Sequence, residues 1–396
     1  MHPSQVVFFL AILLGIQPLT TDLYLPAMPA IADSLVASAG QVQLTLTALL
    51  LAFGTSQLVW GPLSDKYGRK PILLAGLVTY TAASLGSVLA GSIDLLIAWR
   101  ALQGMAMGAV VMCARAMTRD LYSPIEGARA MSKGLSGLGL IACASAPLGG
   151  LLTDWWSWRA ALAVLTVFGV MAMGLVLLHF KETLARRNPL ALQPATLLRT
   201  WGMILRHPTF WAYSSLTTAA YGVLFTFLAS SPFVFIKVLG LSQTQYGLVM
   251  ASMSATYIAG TFMCRRWLLR YGVQRTVRLA AWLTLVGGLA LAGLAASKVQ
   301  TVWALLVPLA LCMLGHGVHQ SCGQSGTVGP FPQAAGAASA LAGFMMMLCA
   351  FAMGGWLGTH MDGSTRPLAY GVAFWAVLLA LVAWILVQRY GEPSTH

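Results

Sequence analysis

The chain has 396 residues, 58% of them hydrophobic and only 8% charged. A water-soluble chain carries roughly a quarter charged residues, so this composition excludes a soluble globular protein. The formal charge of +13 raises nucleic acid as a partner, but the cations lie in short clusters between long apolar segments, which argues against it.

Apolar runs of about 20 residues, enough to cross about 30 Å of hydrocarbon, recur along the whole chain. Six spans are predicted in the first half, at 5–30, 40–61, 70–90, 95–117, 130–152 and 158–180. Six more follow at 209–232, 244–266, 275–296, 301–321, 334–357 and 368–388. The fold class is therefore an all-α membrane protein of twelve transmembrane helices in two bundles. Met1 to Thr20 is apolar but lacks a charged leader and runs straight into Asp22 and Pro26, so it reads as a retained helix and not a removed signal peptide.

Taken in chain order, the first span holds Gln17, Asp22 and Tyr24, and the second Gln43. Between the second and third comes Gly61-Pro-Leu-Ser-Asp65-Lys66-Tyr-Gly68-Arg69-Lys70, with four charges in a charge-poor chain. Its two glycines permit a tight turn. The fourth span carries Arg100 and Arg115 and ends at Arg119-Asp120. The fifth contains Ala146-Pro147-Leu148-Gly149-Gly150, where proline removes a backbone bond and the glycines allow bending.

The longest polar interval, Lys181 to Pro208, divides six spans from six. Expected domains are an N-terminal bundle at 1–182, a basic linker at 183–207 and a C-terminal bundle at 208–396. The Gly61–Lys70 loop has a weak echo at Gly260 to Arg275, which keeps Tyr271-Gly272 and the cations but no acid. Most lysines and arginines fall on one side, Lys66, Lys70, Lys133, Arg186, Arg206, Arg265, Arg278 and Arg389 among them. By the positive-inside rule that side is the cytoplasm, with both termini in it. Basic loops beside anionic lipid account for the high net charge.

An ionisable side chain at membrane depth is costly and marks function by default. Asp22, Arg100 and Arg115 are the clear cases. Asp22 lies late in the first span and Arg100 about two turns into the fourth from the same side. Their similar depth allows a proton-coupling pair or a static buried ion pair. Arginine itself does not usefully release a proton. Arg115, about 22 Å further along, can join Asp65, Arg69, Arg119 and Asp120 in an inner gate or snorkel to the interface. In the tenth span His316, His319 and Gln320 share a face, open to cavity lining or interhelical hydrogen bonding. Tyr221 and Phe225 of the seventh span, with Gln17, Tyr24 and Gln43, are further cavity candidates or packing residues.

Cys113, Cys143, Cys264, Cys312, Cys322 and Cys349 all fall in predicted helices without metal-ligand spacing. They are expected as free buried thiols, and no metal is expected. No phosphate-cradling Gly-x-x-x-x-Gly-Lys-Ser/Thr loop occurs, so ATP is not the energy source. No nucleophile set is readable, and an enzyme is not expected.

The pattern Gly61-x-Leu63-x-Asp65-x-x-Gly68-Arg69-Lys70 resembles the signature loop between helices 2 and 3 of the major facilitator superfamily. Asp22-Leu-Tyr-Leu-Pro26 and Arg100-Ala-Leu-Gln103-Gly104 are similar to the helix-1 and helix-4 motifs of its twelve-helix drug:proton antiporters. Arg115-Ala-Met-Thr-Arg119-Asp120, Trp158-Arg159, Lys181-Glu182-Thr183-Leu184 and Ser231-Pro232-Phe233 resemble the bicyclomycin/chloramphenicol-resistance (Bcr/CflA) branch. Two departures stand out. The helix-5 signature Gly-Pro-x-x-Gly-Gly appears one residue short and without its first glycine, and Asp22 is the sole acid of the first span.

The resemblance implies a monomeric multidrug efflux antiporter of the bacterial inner membrane, built as two pseudo-symmetric six-helix bundles. Its partners are a small-molecule substrate, protons and the lipid bilayer, and it needs no cofactor beyond the proton gradient. It implies proton coupling at Asp22 and Arg100. The cytoplasmic gate comprises Gly61, Asp65, Gly68, Arg69, Lys70, Arg115, Arg119 and Asp120, with a hinge at Pro147, Gly149 and Gly150. A proton-linked or facilitative metabolite carrier remains the alternative, and a receptor that moves nothing would need neither Asp22 nor Arg100.

Overall fold

The computed structural model describes residues 3–122, 124–184 and 193–391. Among these the secondary structure is helical, without strands. The first predicted span resolves into α1 (Pro3–Asp22), a 3-10 turn at Leu25–Ala27 and α2 (Met28–Ser34). Pro26 and Pro29 each lack an N–H, so the backbone ladder is interrupted and restarts there. α3 (Ala39–Tyr67) opens on a capping box, in which Ser38 accepts from the Gln41 N–H and Gln41 accepts from the Ser38 N–H. α4 (Arg69–Val88), α5 (Ile93–Leu121), α6 (Pro124–Trp155) and α7 (Trp158–His179) follow. Ser92 and Ser157 cap α5 and α7.

The polar interval contains α8 (Pro194–Leu205), and α9 (Pro208–Pro232) runs on into a π-helical turn, Phe233–Val238. The expected eighth and ninth spans form one helix of 54 residues, α10 (Gln243–Ala296), broken at Gly272 (φ 71°, ψ 176°). Its two arms together are far longer than one bilayer crossing. α11 (Val302–Val328), α12 (Ala335–His360) and α13 (Arg366–Leu381) complete the set, and α13 continues through a π-helical turn into α14 (Val387–Tyr390). Eleven of these helical segments are long and apolar enough to cross a membrane, α10 counted once.

The helices form two compact units, residues 1–194 with 242–251 and residues 195–241 with 252–396. In unit 1, α1 packs on α6, α3 on α5, and α4 on both α5 and α7. In unit 2, α9 packs on α11, α12 and α13. The unit 2 core gathers Leu216, Ala220, Val277, Ala281, Val318, Leu379 and Ala383. All six cysteines are free thiols, four of them buried and Cys143 and Cys349 half-buried.

Candidate functional site: a charged turn and a buried arginine in unit 1

Gly68 joins α3 to α4 at φ 107°, a value that L side chains rarely adopt. The turn places Arg69 at the start of α4, where its side chain is 2% exposed. Arg69 Nη1 meets Asp65 Oδ1 at 2.6 Å and donates to Ser64 Oγ at 2.6 Å. Its Nε and Nη2 grip both oxygens of Asp120, at the end of α5, at 2.8 and 3.3 Å. Such fork-shaped pairing suits a guanidinium held out of water. Thr183 Oγ1 donates to the same Asp120 at 3.2 Å.

Glu182 completes the cluster. Its carboxylate accepts from the backbone N–H groups of Arg69 and Lys70 at 3.0 and 3.1 Å, and from those of Thr183 and Leu184 at 3.0 Å each. The first N–H groups of a helix have no partner within it and carry partial positive charge, so a carboxylate is stabilised there. These four backbone donors hold the Glu182 carboxyl below its usual range, outweighing its partial burial. At the other end of α4, Arg159 donates from Nε to the Val88 carbonyl at 3.1 Å and from Nη2 to the Ala90 carbonyl at 3.0 Å. Helix α7 thus supplies a cation for the C-terminal end of α4, and the segment after α7 supplies an anion for its N-terminal end.

Gly61 lies against Met112 of α5, and Lys70 Nζ reaches the Leu177 carbonyl at 3.5 Å. Arg115 stays outside the cluster, with its side chain exposed. The side chain of Arg119 lies outside the described residues. Arg115 lies five residues before Asp120 on α5, about 140° around the helix, so its side chain leaves on a different face from that carboxylate.

Arg100 is fully buried. No ion pair joins it to Asp22 among the described residues, so the anticipated direct pairing is not made. Arg100 instead donates to Gln103 Oε1 at 2.6 Å and to the Thr20 carbonyl at 3.2 Å. Its guanidinium lies 4.2 Å from the centre of the Tyr24 ring. Gln103 passes the chain on to Ser84 at 2.7 Å, and Thr20 Oγ1 bonds Tyr80 OH at 2.6 Å. Tyr24 OH bonds Thr45. Two residues along α1 turn a side chain by about 200°, which explains why Arg100 meets the backbone of Thr20 while the Asp22 carboxylate points elsewhere. Asp22 is half-buried, accepts from Thr21 Oγ1 at 2.9 Å and lies within electrostatic reach of Cys143 on α6.

The Pro147–Gly150 segment of α6 is a site of close backbone approach. A Cβ on Gly149 would clash with the Leu23 carbonyl oxygen, and one on Gly150 with that of Gln243. Just beyond, Asp154 accepts from the Thr244 N–H at 2.8 Å, capping the first turn of α10 within the same unit.

In unit 2, Tyr221 and Phe225 are buried and stacked with ring centres 6.4 Å apart. His316 Nδ1 bonds the Ala220 carbonyl of α9 at 3.1 Å, and its ring lies 5.5 Å from Tyr257. His319 is fully buried beside Ala280. Within this unit His316 makes an interhelical hydrogen bond to α9, while His319 is buried against neighbouring helix backbone. Gln320 and Gln17 are half-buried, while Gln43 is buried.

Sequence reasoning missed the capping roles of Glu182, Arg159 and Asp154. The signal available was the bare N-terminus of α4 behind Gly68, which demands an acceptor.

A sequence model of the Major Facilitator Superfamily matches residues 10–354. The chain belongs to that superfamily. It is 27% identical to the bicyclomycin resistance protein homolog of Haemophilus influenzae over 98% of both chains. It is 31% identical to multidrug resistance protein D of Escherichia coli, over 86% of this chain and 84% of that one. With the chloramphenicol resistance protein of Pseudomonas aeruginosa it shares 29% identity, over 81% and 75% of the two chains. These relatives place this superfamily member in the Bcr/CflA branch. Its fold matches the crystal structure of a D-xylose-proton symporter at TM-score 0.76, with 15% identity over 98% and 99% of the chains. A bacterial homolog of the lysosomal transporter Spinster matches at 0.75 with 14% identity over 99% of both. As a member of this superfamily the chain is a multi-pass membrane transporter of small molecules and not an enzyme.

Proposed function

We propose that this transporter exports amphiphilic drug-like molecules from the bacterial cytoplasm across the inner membrane, in exchange for protons. The observation that carries the reading is the isolation of Asp22. It is the sole carboxylate of α1, at membrane depth, and it is not neutralised by Arg100, whose hydrogen bonds go to neutral partners. A carboxylate free of a fixed cation can gain and lose a proton, whereas Arg100 keeps its charge throughout. The drug-resistance names of its relatives support the choice of cargo and direction.

In this reading the Arg69–Asp65–Asp120 cluster stabilises one state of an inner gate, and Pro147, Gly149 and Gly150 form a hinge. The chain works as a monomer of two six-helix halves, 1–182 and 208–396, joined by the basic linker 183–207, with both termini in the cytoplasm. One proton entering at about 150 mV and half a pH unit supplies about 4 kcal/mol, so a single acid suffices for a roughly thousandfold gradient of a neutral substrate.

The test uses inverted vesicles with an imposed pH gradient and a panel of amphiphilic antibiotics, phenicols first. Drug-induced proton leakage is expected with the wild type and none with Asp22→Asn. Leakage at the wild-type rate in the variant would remove Asp22 from the mechanism. No leakage with any drug would favour a metabolite carrier, to be sought by counterflow.

A further inference from the structure

From residue 183 to residue 361 the chain contains no aspartate or glutamate. Within that stretch Arg265, Arg266, Arg270, Arg275 and Arg278 crowd around the break at Gly272. All five are exposed. Among the described residues none of them makes an ion pair. Arg265 and Arg270 lie 5.3 Å from the ring centres of Phe262 and Tyr271, contacts that leave guanidinium N–H donors unsatisfied. Asp362 cannot serve these arginines. It precedes α13, whereas the Gly272 break is met by Gln388, from α14 at the far end, about 33 Å along the helix from Arg366.

The arginines continue into a surface-facing stripe. Arg275, Arg278, Trp282, Val286 and Leu289 share one face of α10 at spacings of three and four residues, and each is exposed. Trp282 packs on Trp384 with ring centres 4.6 Å apart. Trp384 Nε1 donates to the Arg278 carbonyl at 3.2 Å, and Gln388 Nε2 to the Gln274 carbonyl at 3.0 Å. The patch is therefore held in place by neutral hydrogen bonds while its charges stay available. Over about 21 Å of helix the order runs arginine, tryptophan, aliphatic. A phospholipid presents the matching order of phosphate, glycerol ester and acyl chain.

We propose that Arg275 and Arg278, with the Trp282–Trp384 pair beneath them, form a binding site for an anionic phospholipid such as phosphatidylglycerol. Guanidinium forks match phosphate oxygens, indoles favour the ester level of the bilayer, and among the described residues no carboxylate pairs with either arginine, which leaves them open to lipid phosphate. The site differs from diffuse attraction of a basic loop because, of the five arginines, only Arg275 and Arg278 share a helix face with an exposed tryptophan.

Native mass spectrometry of the purified transporter tests this, titrating phosphatidylglycerol, phosphatidylcholine and inorganic phosphate separately. R275Q/R278Q is expected to weaken phosphatidylglycerol binding about 25-fold, at about fivefold per arginine. The charge-matched pair R265Q/R266Q should lose less than threefold. Equal losses in the two double variants, or no loss in the first, would overturn the site in favour of diffuse charge. The unsubstituted protein gives an independent arm. Phosphatidylglycerol binding at least tenfold tighter than phosphatidylcholine supports the proposal, and equal binding overturns it. Displacement of the lipid by inorganic phosphate at equal concentration would reveal a soluble-anion site instead.

Discussion

The two units solve the same turn by opposite means. Gly68 in unit 1 and Gly272 in unit 2 both carry positive φ, at 107° and 71°, with extended ψ. Around Gly68 three carboxylates converge, Asp65 and Asp120 on the Arg69 side chain and Glu182 on the backbone. Around Gly272 no carboxylate pairs with the arginines among the described residues, and neutral groups of Gln388 and Trp384 hold the adjoining helix. A turn fixed by buried charge has two sharply different states, bonded or broken. A turn fixed by amide and indole bonds has no such electrostatic contrast. The proposed inner gate accordingly draws on the unit 1 turn, and the unit 2 turn is expected to act as a scaffold.

The largest effect should come from Asp120→Ala. It strips Arg69 of two of its contacts while the guanidinium stays buried, and breaking such a pair costs about 3–5 kcal/mol. Thermal unfolding of the detergent-solubilised protein reads this directly, and an unchanged melting temperature would refute the network. Next come the glycines. Alanine at either position meets backbone strain of about 1–3 kcal/mol. At Gly68 the new Cβ would also lie 2.6 Å from Glu182 Oε2, whereas at Gly272 it meets nothing within 4 Å. Gly68→Ala should therefore impair stability and transport more than Gly272→Ala, and the reverse order would break the comparison.

Glu182→Gln should cost less, about 1–2 kcal/mol, because an amide oxygen in the Oε1 position still accepts from the Arg69, Thr183 and Leu184 N–H groups and only the Lys70 bond and the charge are lost. The carboxyl has a folded pKa below its usual value, so its contribution is complete above the ordinary carboxylate range. That contribution is lost as pH falls through the depressed folded value. Wild type and variant should thus differ in melting temperature at neutral pH and converge in acid. A difference that persists unchanged at low pH would assign the loss to packing. The smallest effect is expected for Gln388→Ala, about 1 kcal/mol, without the pH dependence seen at Glu182.

The bundle of apolar helices was readable from the chain because a bilayer imposes both length and composition on every crossing. The Gly61–Lys70 turn was readable because its charges stand out from an apolar background. What stayed hidden were the partners. Glu182 lies 113 residues from Arg69, and its motif carried a resemblance but no role. The depth of Asp22 and Arg100 could be judged from helix rise, but not the rotation that turns Arg100 toward a backbone carbonyl and away from the acid. Arg115 shows the same limit, since its membrane depth gave no information on which face of α5 it occupies. The histidines of α11 meet the same limit, since their orientation toward Ala220 and Ala280 depends on packing.

The double capping of α4 has a mechanical consequence. Arg159 holds its last carbonyls and Glu182 its first N–H groups, and the two flank the same helix, α7. A slip of α4 along α7 by a single residue, about 1.5 Å, would pull both ends out of register together, and no intermediate position keeps either. The pair therefore behaves as one strut of fixed length. Whatever rearrangement transport requires in unit 1 must take place at the edges of that strut, where glycine backbones touch, and not along it.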